Sequence, residues 1–129
     1  MHDYFYVKDE TRHIQVFFAD VLYIEAKNKY ALIVTTKEQY QILQPLQIIE
    51  RALPGMLFCR IHRSFIISLS HTKWFDHNYA FVGECKIQIG KLYKDVLPHR
   101  VLMFNNEPNL IIRLSDYDML NFFKKINPN

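Results

Sequence analysis

Short runs of alternating apolar and polar residues, separated by polar turns, follow one another along most of this chain. Successive side chains of a strand point to opposite faces, so each run predicts a β-strand with one buried face. The runs are Tyr4–Lys8, His13–Phe18, Val21–Ala26, Tyr30–Thr35, Gln39–Leu43, Phe58–Ser68, Thr72–Phe75, Tyr79–Val82, Cys85–Ile89 and Leu110–Leu114. Short strands with closely spaced turn signals favour a mostly β fold.

Helical spacing appears between two groups of strands and again near the end of the chain. Leu46, Ile49 and Leu53 recur on one helix face, and Pro45 suits the first turn of that helix. Residues 92–104 suggest one or two helical turns broken near Pro98. Residues 115–118 resemble a capping box with Asp in the place of Glu, which predicts a short helix through residue 126.

The most informative stretch is RIHRSFII, which combines basic and hydrogen-bonding side chains with apolar neighbours. Alternation predicts that Cys59 and Ile61 are buried, while Arg60 and His62 lie on the opposite face. Arg63 interrupts the alternation, so a strand bends or ends there before a second apolar run. Donors grouped in this way suit phosphates and base edges. The alternative is a half-buried strand whose polar face is basic.

Composition fits one folded domain. The chain has 129 residues, of which 50% are hydrophobic and 15% aromatic, with only 3 glycines, so disorder is excluded. A net charge of +3 permits a polyanionic partner without requiring one. Cys59 and Cys85 are too few for a disulfide framework, and no apolar run approaches the roughly 20 residues that span a bilayer. These features predict a soluble cytoplasmic protein with no membrane association, whose thiols are reduced and buried in strands.

Catalytic and metal-binding motifs are missing from the sequence. There is no GxSxG, P-loop, GxGxxG, HExxH or CxxC pattern. Cys59 and His62 are an odd number of positions apart on a strand, so they face opposite ways and do not pair. The sequence therefore predicts no enzyme activity, no cofactor and no metal.

Three clusters favour a binding function. They are Lys27-Asn28-Lys29 in a turn between two apolar strands, Arg60 with His62 and Arg63, and Lys91 with Tyr93 and Lys94. Each alone is explained as a solvated charge group. Together they lie at strand ends and in loops, where binding edges are usually built.

The order of these segments resembles the LytTR family of bacterial DNA-binding domains, the output modules of response regulators in the LytR/AlgR/AgrA group. The segments that carry the resemblance are VLYIEAKNKYALIVT, the Pro-initiated helix, MLFCRIHRSFIIS and IQIGKLYKDVL. The resemblance covers residues 1–104, with its segments starting near residue 3, and leaves 105–129 as an extension of unassigned role. Two departures are Gly90-Lys91-Leu92-Tyr93, where the family commonly has Ser-Arg-x-Tyr, and Ser68, where it often has Asn.

The resemblance implies elongated antiparallel β-sheets with one or two short helices, which bind double-stranded DNA through loops. Two loops would enter successive major grooves, and the HRS region would lie between them. The DNA-contacting residues implied are Lys27, Asn28, Lys29, Tyr30, Arg60, His62, Arg63, Ser64, Lys91, Tyr93 and Lys94. It also implies direct-repeat sites bound by two copies, and a regulator that is either standalone or part of a longer protein. The rival prediction is a protein-interaction module that uses an exposed sheet edge.

Overall fold

A computed structural model describes residues 3–106 of the chain. Contacts divide the chain into two compact units, Met1–Lys94 and Asp95–Asn129. Within residues 3–106, the first unit contains every strand and the turns that carry the candidate site. The strand and helix predicted over 110–114 and 115–126 lie outside the described residues.

Strands dominate the described part of the chain. They are β1 (Tyr4–Asp9), β2 (Arg12–Phe17), β3 (Val21–Ala26), β4 (Ala31–Thr35), β5 (Gln39–Ile42), β6 (Phe58–His62), β7 (Phe65–Ser68), β8 (Thr72–Phe75), β9 (Tyr79–Val82) and β10 (Cys85–Gln88). One α-helix, α1 (Leu46–Ala52), separates β5 from β6, and single 3₁₀ turns occupy Phe18–Asp20, Lys91–Tyr93 and Leu97–His99. The prediction of a mostly β fold with short helices is confirmed.

The strands form three antiparallel sheets. A hairpin pairs β1 with β2, a three-stranded sheet has the order β10-β9-β8, and a five-stranded sheet has the order β5-β4-β3-β7-β6. β3 lies at the centre of the largest sheet, paired with β4 on one side and β7 on the other. Sheet order therefore brings strands from separate parts of the chain side by side.

The main core lies beneath the five-stranded sheet. Val21, Ile24, Ile33 and Ile66 come from neighbouring strands and are almost completely buried. α1 turns its apolar face, which includes Ile49, onto the same core. Because Pro45 supplies a preset φ and no N–H, it precedes the first helical turn without loss of a hydrogen bond.

The RIHRSFII stretch folds as a hairpin. β6 ends at His62, Arg63 and Ser64 form the turn, and β7 begins at Phe65. Cys59 and Ile61 are buried, as the alternation predicts, and Arg63 lies where the first strand ends. The register also shifts between Arg60 and His62, which is a bulge at the end of β6.

Two predictions from the sequence need correction. The helical turns predicted over 92–104 are present as 3₁₀ turns at Lys91–Tyr93 and Leu97–His99, but the break between them falls at residues 94–96 and Pro98 itself lies near the start of the second turn, where its fixed φ is favourable. Cys85 is exposed even though it begins a strand, whereas Cys59 is buried. The difference is one of position, because Cys85 is the first residue of an edge strand, whereas Ile87, two residues later on the same strand, is buried. Burial therefore protects Cys59 alone.

Candidate functional site

The turn between β3 and β4 presents the first basic cluster. The N–H of Lys27 donates to the carbonyl of Tyr30 over 2.7 Å, which closes a short hairpin turn. Lys27, Asn28 and Lys29 are all exposed on it. The Lys27 ammonium lies 3.2 Å from the Glu25 carboxylate, so part of its charge is neutralised within the protein. Lys29 extends from the same turn as a separate cation.

The turn between β6 and β7 lies beside this first turn. The N–H of Ala26, the last residue of β3, donates to the carbonyl of Ser64 over 2.8 Å. β3 and β7 are antiparallel, so the end of one strand meets the beginning of the other. Arg63 is exposed at this junction. Sheet pairing thus places the second basic cluster next to the first.

Arg60 is bound on three sides by the protein itself. Its Nη2 donates to the carbonyl of Arg63 over 2.7 Å, and its Nε donates to the carbonyl of His62 over 3.3 Å. Its Nη1 donates to the Glu50 carboxylate of α1 over 3.2 Å, and the Arg60 side chain is only 18% exposed. A guanidinium is well suited to this role because its donors form a rigid planar fork. Arg60 therefore holds the turn that presents Arg63.

His62 is oriented by two neighbours on the same hairpin. The backbone N–H of Ser64 donates to Nδ1 of His62 over 3.0 Å. The imidazole also meets the ring of Phe65 edge-on, with 5.7 Å between centroids. Since Nδ1 accepts a hydrogen bond, the proton of the neutral ring lies on Nε2. His62 thus offers a single oriented N–H donor.

These two turns and the linker between β5 and α1 surround one depression of about 520 Å³, which we call the basic groove. Its polar lining from the predicted clusters is Lys27, Asn28, Lys29, Tyr30, Arg60 and Arg63. The linker contributes Leu43 and Gln44 and the first turn of α1 contributes Gln47, none of which the sequence predicted. β5 pairs with β4 so that Ile42 lies opposite Ala31, and this register carries the linker to the groove. Only the order of the strands in the sheet shows that the amide side chains of Gln44 and Gln47 belong to the site.

The third cluster lies on the 3₁₀ turn Lys91–Tyr93, which we call the distal turn. The N–H of Gly90 donates to the carbonyl of Ile61 over 2.8 Å, which attaches the turn to the end of β6. A Cβ atom at Gly90 would lie 3.1 Å from Cδ2 of Tyr93 and 3.4 Å from Cα of His62. Glycine therefore permits a close approach to His62. Lys91 is exposed on the outside of this turn.

Lys94 lies next to the β8–β9 turn. Its ammonium donates to the side-chain carbonyl of Asn78 over 3.2 Å. The Asp76 carboxylate accepts the N–H groups of Asn78 and Tyr79 over 2.8 Å and 2.7 Å. Those two hydrogen bonds are the main reason that the pKa of Asp76 is lowered from its ordinary value. Ionised Asp76 thus keeps Asn78 in position for Lys94, a partner that the sequence did not indicate.

The predicted site residues therefore fall into connected groups at one end of the five-stranded sheet. The first two clusters share the basic groove, and the distal turn lies against His62 of the second cluster. Lys94 instead lies with Asn78. Within residues 3–106, no carboxylate comes within ion-pair distance of Lys29, Arg63 or Lys91. Among the predicted site residues, Lys94 also lacks a carboxylate partner there, but its ammonium binds Asn78, so Lys29, Arg63 and Lys91 are the cations best placed to meet an anionic partner.

Tyr23 of β3 has a pKa well above its ordinary value. Burial, followed by a hydrogen bond to Cys85 at 3.8 Å, raises the pKa of Tyr23 to about 12, so its phenol remains neutral. The described part of the chain contains no group of three or more His, Cys, Asp or Glu side chains arranged to hold a metal ion. Nor does any helix within residues 3–106 have the length and apolar character needed to cross a membrane.

Comparison with known proteins gives consistent matches. The family model for the LytTr DNA-binding domain matches residues 11–97. Sensory transduction protein LytR of Staphylococcus epidermidis is 33% identical over 91 residues, which cover 66% of this chain and 36% of that protein. Transcriptional regulatory protein LytR of Staphylococcus aureus strain N315 is 32% identical over 80 residues, covering 57% of this chain and 32% of that protein. The chain thus spans about a third of the length of these curated relatives.

A solved structure supports the same fold. A LytTr DNA-binding domain from Bacillus cereus superposes with a TM-score of 0.53 and 22% sequence identity. The superposition covers 98% of this chain and 97% of that one. At this level of identity the match establishes the architecture of the sheets.

Proposed function

We propose that this chain, which belongs to the LytTR family of DNA-binding domains, regulates transcription by binding a specific sequence of double-stranded DNA. The family expected from the sequence motifs is confirmed, and it is a family of DNA-binding domains and not of enzymes. One observation carries the proposal. Three basic segments that are far apart in the chain converge at one end of the five-stranded sheet, around the basic groove and the distal turn.

Different side chains would contact the phosphates and the base edges of the DNA. Contacts from lysine and arginine to phosphates supply much of the affinity of proteins for DNA and carry no sequence information. Asn28, Lys29, Arg63 and Lys91 are the side chains proposed to reach base edges, because all four are exposed on turns. Arg60 acts as a positioning residue in this proposal, since the protein itself already holds its guanidinium.

The action of the complete regulator is a proposal of wider scope. We propose direct-repeat sites that are bound head-to-tail by two copies, about one helical turn of DNA apart. A DNA target places this activity in the cytoplasm. We propose that residues 1–104 form the DNA-binding domain and that residues 105–129 are an extension of it.

A second candidate function is a protein-interaction module. The observation that favours it is the outer face of the β1–β2 hairpin, where Tyr4, Tyr6 and Phe17 are exposed and the ring of Tyr4 contacts the other two edge-on. Exposed aromatic groups of this kind are common where proteins bind partners. Apolar pairing would respond weakly to salt, whereas phosphate contacts would weaken steeply as salt rises.

The test is a titration by fluorescence anisotropy at two salt concentrations. The duplex comes from upstream of the protein's own gene, or from a random-sequence selection if that fragment does not bind. A scrambled duplex serves as the competitor. We expect salt-sensitive binding that the scrambled duplex does not displace. If the selection enriches no sequence and any DNA displaces the complex equally, the proposal of sequence-specific binding is wrong.

A further inference from the structure

Leu92 lies at the centre of the distal turn and is exposed. Its side chain is 91% exposed, the highest value among the large hydrophobic residues of the described part of the chain. Lys91 precedes it and Tyr93 follows it, so a leucine is displayed beside a cation. At this exposure Leu92 does not contribute to the hydrophobic core. A polar side chain would be better hydrated at such a position.

The turn that carries Leu92 is held firmly at its base. The N–H of Tyr93 donates to the carbonyl of Gly90 over 2.9 Å, and the N–H of Gly90 donates to Ile61 of β6 over 2.8 Å. The close approach of Gly90 to His62 fixes the turn on a second side. Leu92 is therefore presented in a defined direction by a short, hydrogen-bonded turn.

We propose that Leu92 is a specificity-determining residue, which packs against the C5-methyl group of a thymine in the major groove. This inference rests on the proposed function. A leucine side chain has no hydrogen-bonding group, so the thymine methyl is the feature of a base edge that it can read. Lys91 lies beside it and would bind the neighbouring phosphate or the acceptors of a guanine. Leu92 would thus recognise an apolar feature of the DNA and Lys91 an electronegative one.

The test removes a single methyl group from the DNA. A preferred duplex is selected with the wild-type protein, and each thymine is then replaced in turn by deoxyuridine, which keeps every hydrogen-bonding group. Affinities are measured by anisotropy for wild type and for Leu92→Ala. We expect each site to contain one thymine whose replacement by deoxyuridine weakens the binding of the wild-type protein about fourfold. This factor corresponds to the free energy of burying one methylene-sized group. Leu92→Ala should bind thymine and deoxyuridine equally at that position.

Met56→Ala is the matched control. Met56 is also an exposed apolar side chain, at 72%, but it precedes β6 while the distal turn is attached to the other end of that strand. This variant should retain the full response to deoxyuridine. Circular dichroism and thermal unfolding check that both variants are folded, which is expected because neither side chain is buried.

The outcomes separate this inference from the proposed function. A sequence-specific complex whose response to deoxyuridine is unchanged in Leu92→Ala overturns the inference and leaves the proposed function intact. A wild-type protein that forms no specific complex with any selected duplex overturns both. Loss of self-association in Leu92→Ala, with an unchanged response to deoxyuridine, would assign Leu92 to contact with a second copy and overturn thymine recognition.

Discussion

The basic groove and the distal turn both display cations, but the protein holds those cations differently. In the groove, Lys27 pairs with Glu25, and Arg60 pairs with Glu50 and two backbone carbonyls. In the distal turn, Lys91 is attached only through the backbone, where Gly90 binds Ile61. Part of the positive charge of the groove is thus engaged in ion pairs within the protein, whereas the distal turn is held by a backbone hydrogen bond of Gly90.

This difference shows that counting cations is a poor guide to a binding surface. Arg60 is as basic as Arg63, yet the protein engages three of its donors and leaves it 18% exposed. Arg63 is exposed at the tip of the same hairpin. We therefore propose separate roles for the two neighbouring arginines, one in positioning and the other in contact with DNA. Variants of each region can test this division.

Arg63→Ala should have the largest effect, because it removes an exposed guanidinium that lines the groove. Loss of an arginine that contacts DNA typically costs about 1–3 kcal/mol of binding free energy. Anisotropy titrations should therefore show at least a severalfold loss of affinity with an unchanged melting temperature. Lys37→Ala is the control, since Lys37 lies at the opposite end of β4 and only 3.8 Å from Asp20. Equal losses in the two variants would refute the assignment of this surface.

Glu50→Gln should weaken DNA binding although it removes a negative charge near the groove. Simple electrostatics predicts the opposite, since one acidic group fewer reduces repulsion of phosphates. We expect a loss of about three- to fivefold, because an exposed ion pair contributes at most about 1 kcal/mol and its loss frees the Arg63 turn. Glu38→Gln, at the far end of β4, is the matched control and should bind slightly more tightly or as wild type does. Tighter binding by Glu50→Gln would mean that the Arg60 contacts do not position the turn.

Gly90→Ala should give the smallest effect and should separate stability from binding. Gly90 has a φ of −66°, which alanine adopts without strain, so loss of unfolded-state entropy stabilises the protein by up to about 1 kcal/mol. The new Cβ would still lie only 3.1 Å from Cδ2 of Tyr93, so that ring would have to shift and the shape of the distal turn would change slightly. We expect a loss of affinity smaller than that of Glu50→Gln, together with an unchanged or higher melting temperature. A fall in both quantities would indicate that the turn supports the fold itself.

Local patterns in the sequence determined much of this protein. The alternation of apolar and polar residues predicted the strands of the described part, the burial of Cys59 and Ile61, and the position of Arg63 at a strand end. Pro45 and the helical spacing after it located α1. These features depend on residues within a few positions of each other, because the directions of neighbouring side chains follow directly from backbone geometry. The motifs also gave the family, which the comparison confirmed.

Only the tertiary structure decided how these elements meet. The pairing of β3 with β7 joins the first two clusters, and the register of β5 on β4 brings Gln44 and Gln47 to the groove. The edge position of β10 exposes Cys85, and contacts between distant segments pair Glu50 with Arg60 and dock Gly90 on Ile61. Such contacts depend on which strands become neighbours. Sheet order is set by the burial of a shared core, and the sequence around any one residue does not contain that information.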